Sequence, residues 1–375
     1  MQTLRIGLIG TGYMGKAHAI ALQMVGTVFP LTARPVCELV ADINLELAQQ
    51  QAQLLGFRRA TDDWRQLVND PAVDIVDICS PNYLHKDMAL AAIAAGKHVY
   101  AEKPLALNAA DALEMTQAAE RASVKTLVGF NYMKNPASQL AKEIIASGEI
   151  GQVLHFRGTF NEDYLADPAR PFSWRLQREF AGSGALGDMG SHIINMAQYL
   201  VGEIAEVNGD LQTVYKQRPL ADGSGFGTVE NDDQVHCMVR FANGATGTLE
   251  SSRVAWGRKN GLWYEINGTQ GSLIFDQERL SELQLFSARD AANRQGFRTV
   301  LMGPTHPDYL NFSPAPGHGL GYNDMKACEI RDLLEGIAAD KPLWPDFRAA
   351  YEVNRVLDAI ERSHAAGHWV SVADC

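Results

Sequence analysis

The sequence predicts an α/β fold with two domains: an N-terminal doubly wound parallel sheet, and a C-terminal α+β domain built on a large, mostly antiparallel sheet. In the first third of the chain, short apolar runs alternate with helical patterns, which is typical of parallel strands joined by crossover helices. Farther along, strand patterns follow one another with few helices between them. At 375 residues the chain is long enough for two separate cores, which we place in 1–130 and 131–375.

The elements of the first domain are predicted from the alternating patterns. Strands are expected at 4–9, 36–41, 73–79, 98–101 and 126–130, and helices at 16–22, 85–95 and 109–122. The stretch 26–35 contains two prolines and is expected to form a loop.

A glycine-rich turn lies between the first strand and the first helix. Its sequence is Gly10-Thr11-Gly12-Tyr13-Met14-Gly15. Gly10 permits the tight turn, Gly12 lets the backbone approach a pyrophosphate, and Gly15 lets the helix pack close to the strand. The helix N-terminus offers N–H groups and a positive dipole end to phosphates. A glycine-rich turn alone is weak evidence, but this strand–turn–helix context predicts a Rossmann-type dinucleotide site that includes Tyr13 and Met14.

The second strand pattern ends in Asp42. An acid at this place binds the adenosine ribose hydroxyls and repels a 2′-phosphate, so it favours NAD over NADP. Neither Ile43 nor Asn44 supplies the arginine expected of an NADP site. A second interpretation is that Asp42 caps a helix starting near Leu45, and the two roles do not exclude each other. The sequence predicts NAD as the cofactor.

The second domain begins with a helix and continues mainly as strands. Asn135-Pro136 predicts a helix start and Gly148 predicts its end. The dipeptides Asn243-Gly244 and Asn267-Gly268 predict hairpin turns. Strands are expected at 153–160, 234–241, 245–252, 262–266, 272–275 and 282–286, and later helices at 323–338 and 347–366.

Composition and charge exclude several classes of protein. A formal net charge of −11 argues against nucleic acid and anionic membrane surfaces as partners, since both attract basic patches. No apolar run approaches the roughly 18 residues of a membrane span, and the first strand pattern begins too near Met1 for a signal peptide. The five cysteines are scattered and form no C-x-x-C pair. That distribution suits a reducing cytoplasm and offers no zinc–thiolate cluster, so no metal is expected.

A lysine follows the predicted strand at 98–101, within Glu102-Lys103-Pro104. Ligands of open α/β sheets bind beyond the carboxyl ends of the strands, and the following proline restricts the backbone here. Lys103 can therefore point at a substrate oxygen. The alternative is an ordinary exposed lysine, and the sequence alone favours neither interpretation.

An aspartate and a histidine, Asp188 and His192, stand four residues apart at the start of a helical pattern. On a helix that begins near Asp188 the two side chains share one face. A carboxylate beside an imidazole fixes its tautomer and stabilises its charged form, as a general base requires. One alternative is a helix-capping Asp188 with an interior His192. Another is a metal site, although no further histidine or cysteine lies at suitable spacing nearby.

These three motifs occur in an order that resembles the glucose–fructose oxidoreductase / inositol dehydrogenase / MocA family of NAD(P)-dependent dehydrogenases. Further similar segments are 79–85, 95–99 and 129–132, so the resemblance covers nearly the whole chain. It implies that Lys103, Asp188 and His192 line a sugar pocket. It also implies that the Ser80-Pro81-Asn82 turn lies by the nicotinamide.

The same resemblance extends both predicted sites. The residues expected to contact the cofactor are Gly10, Gly12, Tyr13, Met14, Gly15, Asp42, Ser80, Pro81, Asn82, His85, Glu102 and Lys103. The residues expected to contact the substrate are Lys103, Tyr132, Trp174, Arg175, Asp188 and His192. Two departures from the family pattern, Met133 for an arginine and Asn195 for an aspartate, affect the polarity of the pocket and not the catalytic set.

Within the family, the segments 171–175, 181–188, 296–300 and 303–307 are similar to the type that oxidises 1,6-anhydroglucose (levoglucosan) at C3. Trp174 and Arg175 either stack on the sugar and donate to its hydroxyls, or serve only in packing. Because inositol dehydrogenases have similar signatures, this resemblance does not fix the substrate.

The predicted reaction is NAD-dependent oxidation of a secondary ring hydroxyl of a sugar, anhydrosugar or inositol to a ketone. His192 removes the hydroxyl proton, Asp188 holds the imidazole, and Lys103 donates to the developing alkoxide, so no metal is required. Two other functions stay open: a glycosidase that retains NAD and uses transient oxidation, and a non-catalytic regulator that senses NAD or sugar. The presence of all three residues argues against the regulator, whereas only an assay separates the glycosidase.

One face of the predicted antiparallel sheet is expected to lack cover, because few helices lie between its strands. Leu249, Trp263 and Phe275 are the candidates for that face. An apolar sheet face usually marks an interface, and the family resemblance also implies sheet-to-sheet pairing. We therefore expect a homodimer or homotetramer formed through the C-terminal sheet.

Overall fold

The computed structural model describes residues 2–375, which form two compact units. Unit 1 contains the described residues up to Lys134 together with Gly321–Glu352. Unit 2 contains Asn135–Leu320 and Val353–Cys375. The sequence predicts two continuous domains, 1–130 and 131–375. In the structure, Gly321–Glu352 belongs to unit 1 instead of to the second domain.

Unit 1 is built on a parallel sheet with helices in its crossovers. Its strands are β1 (Gln2–Ile9), β2 (Ala33–Ala41), β3 (Arg59–Thr61), β4 (Ile75–Ile78), β5 (His98–Ala101) and β6 (Thr126–Val128). Its first helices are α1 (Tyr13–Val28), α2 (Leu45–Leu55), α3 (Trp64–Asn69), α4 (His85–Ala94) and α5 (Ala109–Ala122). The strand order is β3-β2-β1-β4-β5-β6 with parallel pairing throughout, which confirms the doubly wound prediction. The order reverses between β1 and β4, and ligands of such sheets bind beyond the strand ends at that point.

The predicted loop at 26–35 is wrong at both ends. Gly26 lies inside α1, and Pro35 lies inside β2, where it pairs with Leu4. The proline is tolerated because β3 pairs only with Leu39–Ala41 of β2 and does not reach Pro35, so one side of the strand has no ladder to break there.

Unit 2 is built on a nine-stranded sheet and a two-stranded ribbon. The strands are β7 (Val153–Asn161), β8 (Ile204–Gln212), β9 (Gln217–Pro219), β10 (Phe226–Thr228), β11 (Gln234–Phe241), β12 (Thr246–Ser252), β13 (Gly261–Gly268), β14 (Gly271–Asp276), β15 (Glu282–Ser287), β16 (Arg298–Leu301) and β17 (Val370–Ser371). The large sheet has the order β16-β15-β14-β13-β7-β12-β11-β8-β17, and β9 pairs with β10 separately. Within residues 2–375 the pairing of β7 with β12 is the single parallel ladder of this sheet, so the mostly antiparallel prediction is confirmed.

Six further helices complete the fold. They are α6 (Pro136–Ala146), α7 (Arg178–Ala181), α8 (Ser191–Leu200), α9 (Tyr309–Phe312), α10 (Tyr322–Ala338) and α11 (Phe347–Ala366). Helix α10 packs along α1 within unit 1, and α11 starts in unit 1 and continues in unit 2. Of the helices in residues 2–375, none combines the length and apolar character that crossing a bilayer requires.

The large sheet has a covered inner face and an outer face. Leu249 and Phe275 are buried on the inner face with Tyr264, whose hydroxyl donates to Ser138 Oγ on α6 at 3.2 Å. Trp263 is half-buried on the opposite face, because neighbouring residues of a strand point to opposite sides. The prediction that placed Leu249 and Phe275 on the uncovered face is therefore wrong. Tyr264 pairs with Phe275 between β13 and β14, so the side chain of Phe275 lies on the same face as that of Tyr264 and opposite to that of Trp263.

Candidate active site

The glycine-rich turn has the geometry of a pyrophosphate-binding turn. Gly10 has a φ of 91°, and a Cβ there would lie 2.8 Å from the carbonyl oxygen of Cys79. A Cβ on Gly15 would lie 2.0 Å from the carbonyl oxygen of Gly10, so the start of α1 packs directly on the turn. By contrast, a Cβ at Gly12 would meet no other atom within 4 Å. The backbone of Gly12 is thus open to a phosphate at the N-terminus of α1, and the turn fits NAD.

Asp42 closes one side of this turn. Its carboxylate accepts hydrogen bonds from the backbone N–H of Thr11 at 2.8 Å and of Ile43 at 2.7 Å, and from the Thr11 hydroxyl. The capping interpretation is excluded, because the cap of α2 is Asn44, which accepts from the N–H of Leu47 at 2.8 Å. Asp42 therefore stands at the rim of the nucleotide turn, as a ribose-binding acid requires.

His85 supports two turns from the interior. It is buried, and its ring nitrogens lie 2.9 Å from the carbonyl oxygen of Ser80 and 3.0 Å from that of Pro104. Burial lowers its pKa. His85 therefore sits behind the Ser80-Pro81-Asn82 turn, which continues into the short helical turn Asn82–Leu84. It holds that turn and the turn after β5 at a fixed separation.

Glu102 also points into the interior of unit 1. Its Oε1 lies 2.9 Å from His18 Nε2 and 2.7 Å from Lys326 Nζ, and its Oε2 accepts from the N–H of Lys103 at 3.2 Å. Burial opposes ionisation of Glu102, but the Lys326 ammonium and the imidazole of His18 hold its pKa well below the usual value. Glu102 thus joins α1, the end of β5 and α10.

The cluster around Glu102 continues on both sides. His18 Nδ1 lies 2.8 Å from Asp77 Oδ1. The side-chain atoms of His18, Asp77 and Cys79 that could bind a metal ion all lie within 4.8 Å of one another. Burial raises the pKa of the Cys79 thiol to about 12. On the other side, the Lys326 ammonium lies 3.0 Å from Glu329 Oε2, which accepts from the Tyr100 hydroxyl at 2.7 Å. We name this cluster the buried ion network. Its members are His18, Asp77, Tyr100, Glu102, Lys326 and Glu329.

Lys103 directly follows Glu102 and is half-buried, so it is not the ordinary exposed lysine of the alternative interpretation. Tyr132 lies in the short helical turn Asn131–Lys134 and is 8% exposed. Its ring meets that of Tyr322 edge-on at 6.2 Å. Tyr322 also contacts the nucleotide turn, since its ring lies 5.9 Å from that of Tyr13 and its hydroxyl donates to Met14 Sδ at 3.2 Å.

In unit 2, Asp188 and His192 lie in one helical segment. The π-helical turn Leu186–Gly190 carries Asp188 and leads directly into α8, which carries His192. His192 is 6% exposed and packs edge-on against Phe160 at 5.7 Å between ring centres. The Tyr164 hydroxyl donates to Asp188 Oδ2 at 2.9 Å. We name residues 186–192 the Asp–His segment.

The cap of this segment is not Asp188. The Asp232 carboxylate accepts hydrogen bonds from the N–H of Gly184 at 2.6 Å and of Leu186 at 2.7 Å. It thereby satisfies backbone N–H groups that have no partner within the helix. The capping interpretation of Asp188 is therefore excluded, and its carboxylate is engaged with Tyr164 instead.

Trp174 and Arg175 form one turn with Leu176. The Arg175 guanidinium lies 4.4 Å from the Trp174 ring centre, and Arg175 is exposed. Leu176 is fully buried in a cluster with Leu165 and Val229. Leu176 therefore anchors the turn in unit 2, whereas Trp174 is half-buried and Arg175 is exposed.

Several of these residues could not be selected by a motif. Tyr164, Asp232 and Tyr322 have no fixed spacing to the motifs they contact. Lys326 does carry a signal, since it occupies the apolar stripe of α10 four residues before Ile330 and seven before Leu333. A lysine in such a stripe indicates a buried charge with a partner.

Comparison with known proteins assigns the chain. Residues 4–130 match the model of an oxidoreductase family with an NAD-binding Rossmann fold, and residues 138–274 match the GFO/IDH/MocA C-terminal domain. The chain is also 45% identical over 385 residues to the levoglucosan dehydrogenase of Pseudarthrobacter phenanthrenivorans, covering 99% of each chain. This chain belongs to the GFO/IDH/MocA family. The predicted family, fold class, oxidoreductase activity and NAD cofactor are confirmed.

Two solved structures are similar to this chain over 99% of its length. A levoglucosan dehydrogenase in complex with NADH and levoglucosan has a TM-score of 0.96 at 46% identity, covering 99% of both chains. An NAD-binding oxidoreductase from Klebsiella pneumoniae has a TM-score of 0.95 at 49% identity, again with 99% of both chains covered.

Proposed function

We propose that this enzyme oxidises a secondary ring hydroxyl of levoglucosan, or of a closely related anhydrosugar, to a ketone with NAD. The observation that carries the proposal is the end-to-end similarity to a levoglucosan dehydrogenase whose structure holds NADH and levoglucosan. The turn at Gly12 and the acid at Asp42 support NAD as the cofactor from the chain's own geometry.

In the proposed mechanism His192 takes the proton of the substrate hydroxyl, and its neighbour Asp188 stabilises the imidazolium that forms. Lys103 donates a hydrogen bond to the developing alkoxide. Gly12 and Asp42 would hold NAD, which when bound would supply the acceptor for the hydride of the same carbon. The products are one ketone, one NADH and one proton, which leaves through His192.

The surroundings of Asp188 and Lys103 support these roles. The Tyr164 hydroxyl donates to Asp188 Oδ2 and so restricts the orientation of that carboxylate. The backbone N–H of Lys103 donates to Glu102, which belongs to the buried ion network, so the lysine starts from a fixed backbone. A base and a donor that start from fixed positions lose little freedom on reaching the transition state.

Steady-state kinetics with levoglucosan, related sugars and inositols tests this proposal through the appearance of NADH. We expect levoglucosan to have the highest kcat/KM. Release of the leaving alcohol from a glycoside, without net NADH, would instead indicate a glycosidase that retains NAD.

We further propose that the enzyme is a homodimer or homotetramer formed through the outer face of the nine-stranded sheet. Trp263, Ile274 and Phe286 are half-buried on this face of the single chain, and Met238 is 48% exposed. Apolar side chains spread over one sheet face usually mark an interface. Light scattering tests this, with a mass above the 41.1 kDa of one chain expected. Trp263→Glu should lower that mass, whereas Trp256→Glu, which changes a 70% exposed tryptophan outside the strands, should not.

We also propose a cytoplasmic location. The five cysteines have free thiols, which suits a reducing compartment. Fractionation of the native host with an antibody to the enzyme would test it.

A further inference from the structure

Three consecutive polar residues, Asn231, Asp232 and Asp233, precede β11 and are all buried. Their exposed fractions are 2%, 5% and 0%. Polar groups buried in a row are costly unless each finds a hydrogen-bond partner. The partners of this 231–233 triplet therefore indicate what it does.

Asp232 is bonded to the start of the Asp–His segment. Its two carboxylate oxygens accept from the N–H groups of Gly184 and Leu186, and its carbonyl oxygen accepts from the N–H of Ala185 at 3.0 Å. A Cβ on Gly184 would lie 1.9 Å from that carbonyl oxygen, so residue 184 must be glycine for the two backbones to come this close. Three successive N–H groups before Asp188 are thus bonded to one residue.

Asn231 is bonded to the turn that carries Trp174 and Arg175. Its Nδ2 donates to the carbonyl oxygen of Arg175 at 2.9 Å, and its Oδ1 accepts from Arg253 at 2.8 Å. Arg253 is 1% exposed and also donates to Asp233 Oδ1 at 2.9 Å. Arg253 therefore holds both ends of the triplet, Asn231 by a hydrogen bond and Asp233 by an ion pair. Breaking this buried ion pair would leave an uncompensated charge in the interior.

We propose that the 231–233 triplet positions two parts of the site independently: Asp232 positions Asp188 and His192, and Asn231 positions the Trp174–Arg175 turn. This inference rests on the proposed roles of Asp188 and His192, and on the prediction that Trp174 and Arg175 contact the substrate. Asp232 and Asn231 are positioning residues, because they act through the backbone of other residues.

The two halves of the proposal have different kinetic consequences. A base displaced by even about 1 Å loses rate on the order of a hundredfold, so a fault at Asp232 lowers kcat. A fault at Asn231 displaces the Trp174–Arg175 turn, which is predicted to contact the substrate without taking its proton, so it should raise KM. Two adjacent buried residues are therefore expected to affect different kinetic constants, which general loss of packing would not produce.

The test compares four variants in the full-length enzyme with NAD and levoglucosan. Asp232→Asn sets an amide N–H against a backbone N–H and should lower kcat by about tenfold or more, with KM within about twofold. Gly184→Ala forces the same backbones apart and should give the same result. Asn231→Ala should raise KM by about fivefold or more with kcat within about twofold. Asp222→Asn, which removes an exposed carboxylate that accepts from Ser224 in a turn, is the matched control.

Circular dichroism and NADH fluorescence accompany the kinetics, because NADH reports on the nucleotide turn of unit 1. The proposal is overturned if Asp232→Asn and Asn231→Ala change kcat and KM in the same proportion, or if both keep wild-type constants. It is also overturned if none of the three triplet-directed variants folds, since the triplet is then structural. His192→Ala separates the two claims. If it retains normal turnover the proposed role of His192 as the base fails, whereas a loss in His192→Ala with normal kinetics in Asp232→Asn refutes the positioning role alone.

Discussion

Replacement of Lys326 by methionine tests the buried ion network most severely. The ammonium lies 2.7 Å from Glu102 Oε1, 3.0 Å from Glu329 Oε2 and 3.3 Å from the Tyr100 hydroxyl, and the side chain is fully buried. Methionine fills a similar volume but leaves two buried carboxyl groups without this cation. Removal of one partner of a buried ion pair costs about 3–5 kcal/mol. We therefore expect Lys326→Met to destabilise unit 1 by about that amount.

The loss should depend on pH in a direction that the pKa shifts fix. In the wild type the pKa of Glu102 is held below its unfolded value of about 4.3, so its contribution is present above that pH and is lost as the pH falls further. Lys326→Met removes the charge that lowers the pKa of Glu102 most, whereas burial still raises it, so we expect the pKa of this carboxyl to rise. A raised folded-state pKa costs stability as the pH rises through it. The difference in the free energy of unfolding between the wild type and Lys326→Met should therefore be largest near neutral pH and smaller toward a pH of about 4.

Hydrogen exchange of peptides from β1, β4 and β5 measures this loss in unit 1 by itself. Lys341→Met, which removes an exposed lysine from the same unit, is the control and should cost less than about 0.5 kcal/mol. A loss below about 1 kcal/mol for Lys326→Met, or one that does not change with pH, would refute the reasoning.

The remaining predictions concern the proposed site. Asp42→Ala should reduce the preference for NAD over NADP by about tenfold to a hundredfold in kcat/KM, the effect of a hydrogen bond to a charged group, and an unchanged ratio would contradict the assignment. Lys103→Ala and His192→Ala should each lower kcat by roughly 10² while NADH still binds, and near-normal turnover in either removes that residue from the mechanism. Tyr164→Phe deletes the donor to Asp188 Oδ2 and should lower kcat on the order of tenfold, and unchanged kcat would show that the contact is incidental.

The parts of the fold predicted from the sequence are those with local signals. The predicted helix 109–122 coincides with α5, because Asn108 caps it through the N–H of Asp111 and its apolar face repeats regularly. The predicted strand 234–241 coincides with β11, where buried and outward residues alternate strictly. Strand β8 is not predicted, because Ile204–Gln212 contains a glycine and its buried residues Ile204 and Val207 stand three positions apart instead of two. Its conformation is set by pairing with β11 and β17 instead.

The parts that could not be predicted depend on contacts distant in sequence. Asp232 bonds the Asp–His segment from beyond β8, and no spacing rule relates the two. Leu249 and Phe275 were placed on the wrong sheet face, because relative register between strands decides the face and a one-residue error reverses it. The return of Gly321–Glu352 to unit 1 places Lys326 at 2.7 Å from Glu102, a contact between residues 224 positions apart that no local pattern predicts.

The measurement that tests the central claim most directly is the stoichiometry of the reaction with levoglucosan. The purified enzyme, NAD and levoglucosan should yield one NADH for each ketone formed, with the turnover lost in His192→Ala. The proposed dehydrogenase function is contradicted if enzyme that binds NADH forms no NADH from NAD with levoglucosan or with any other sugar or inositol.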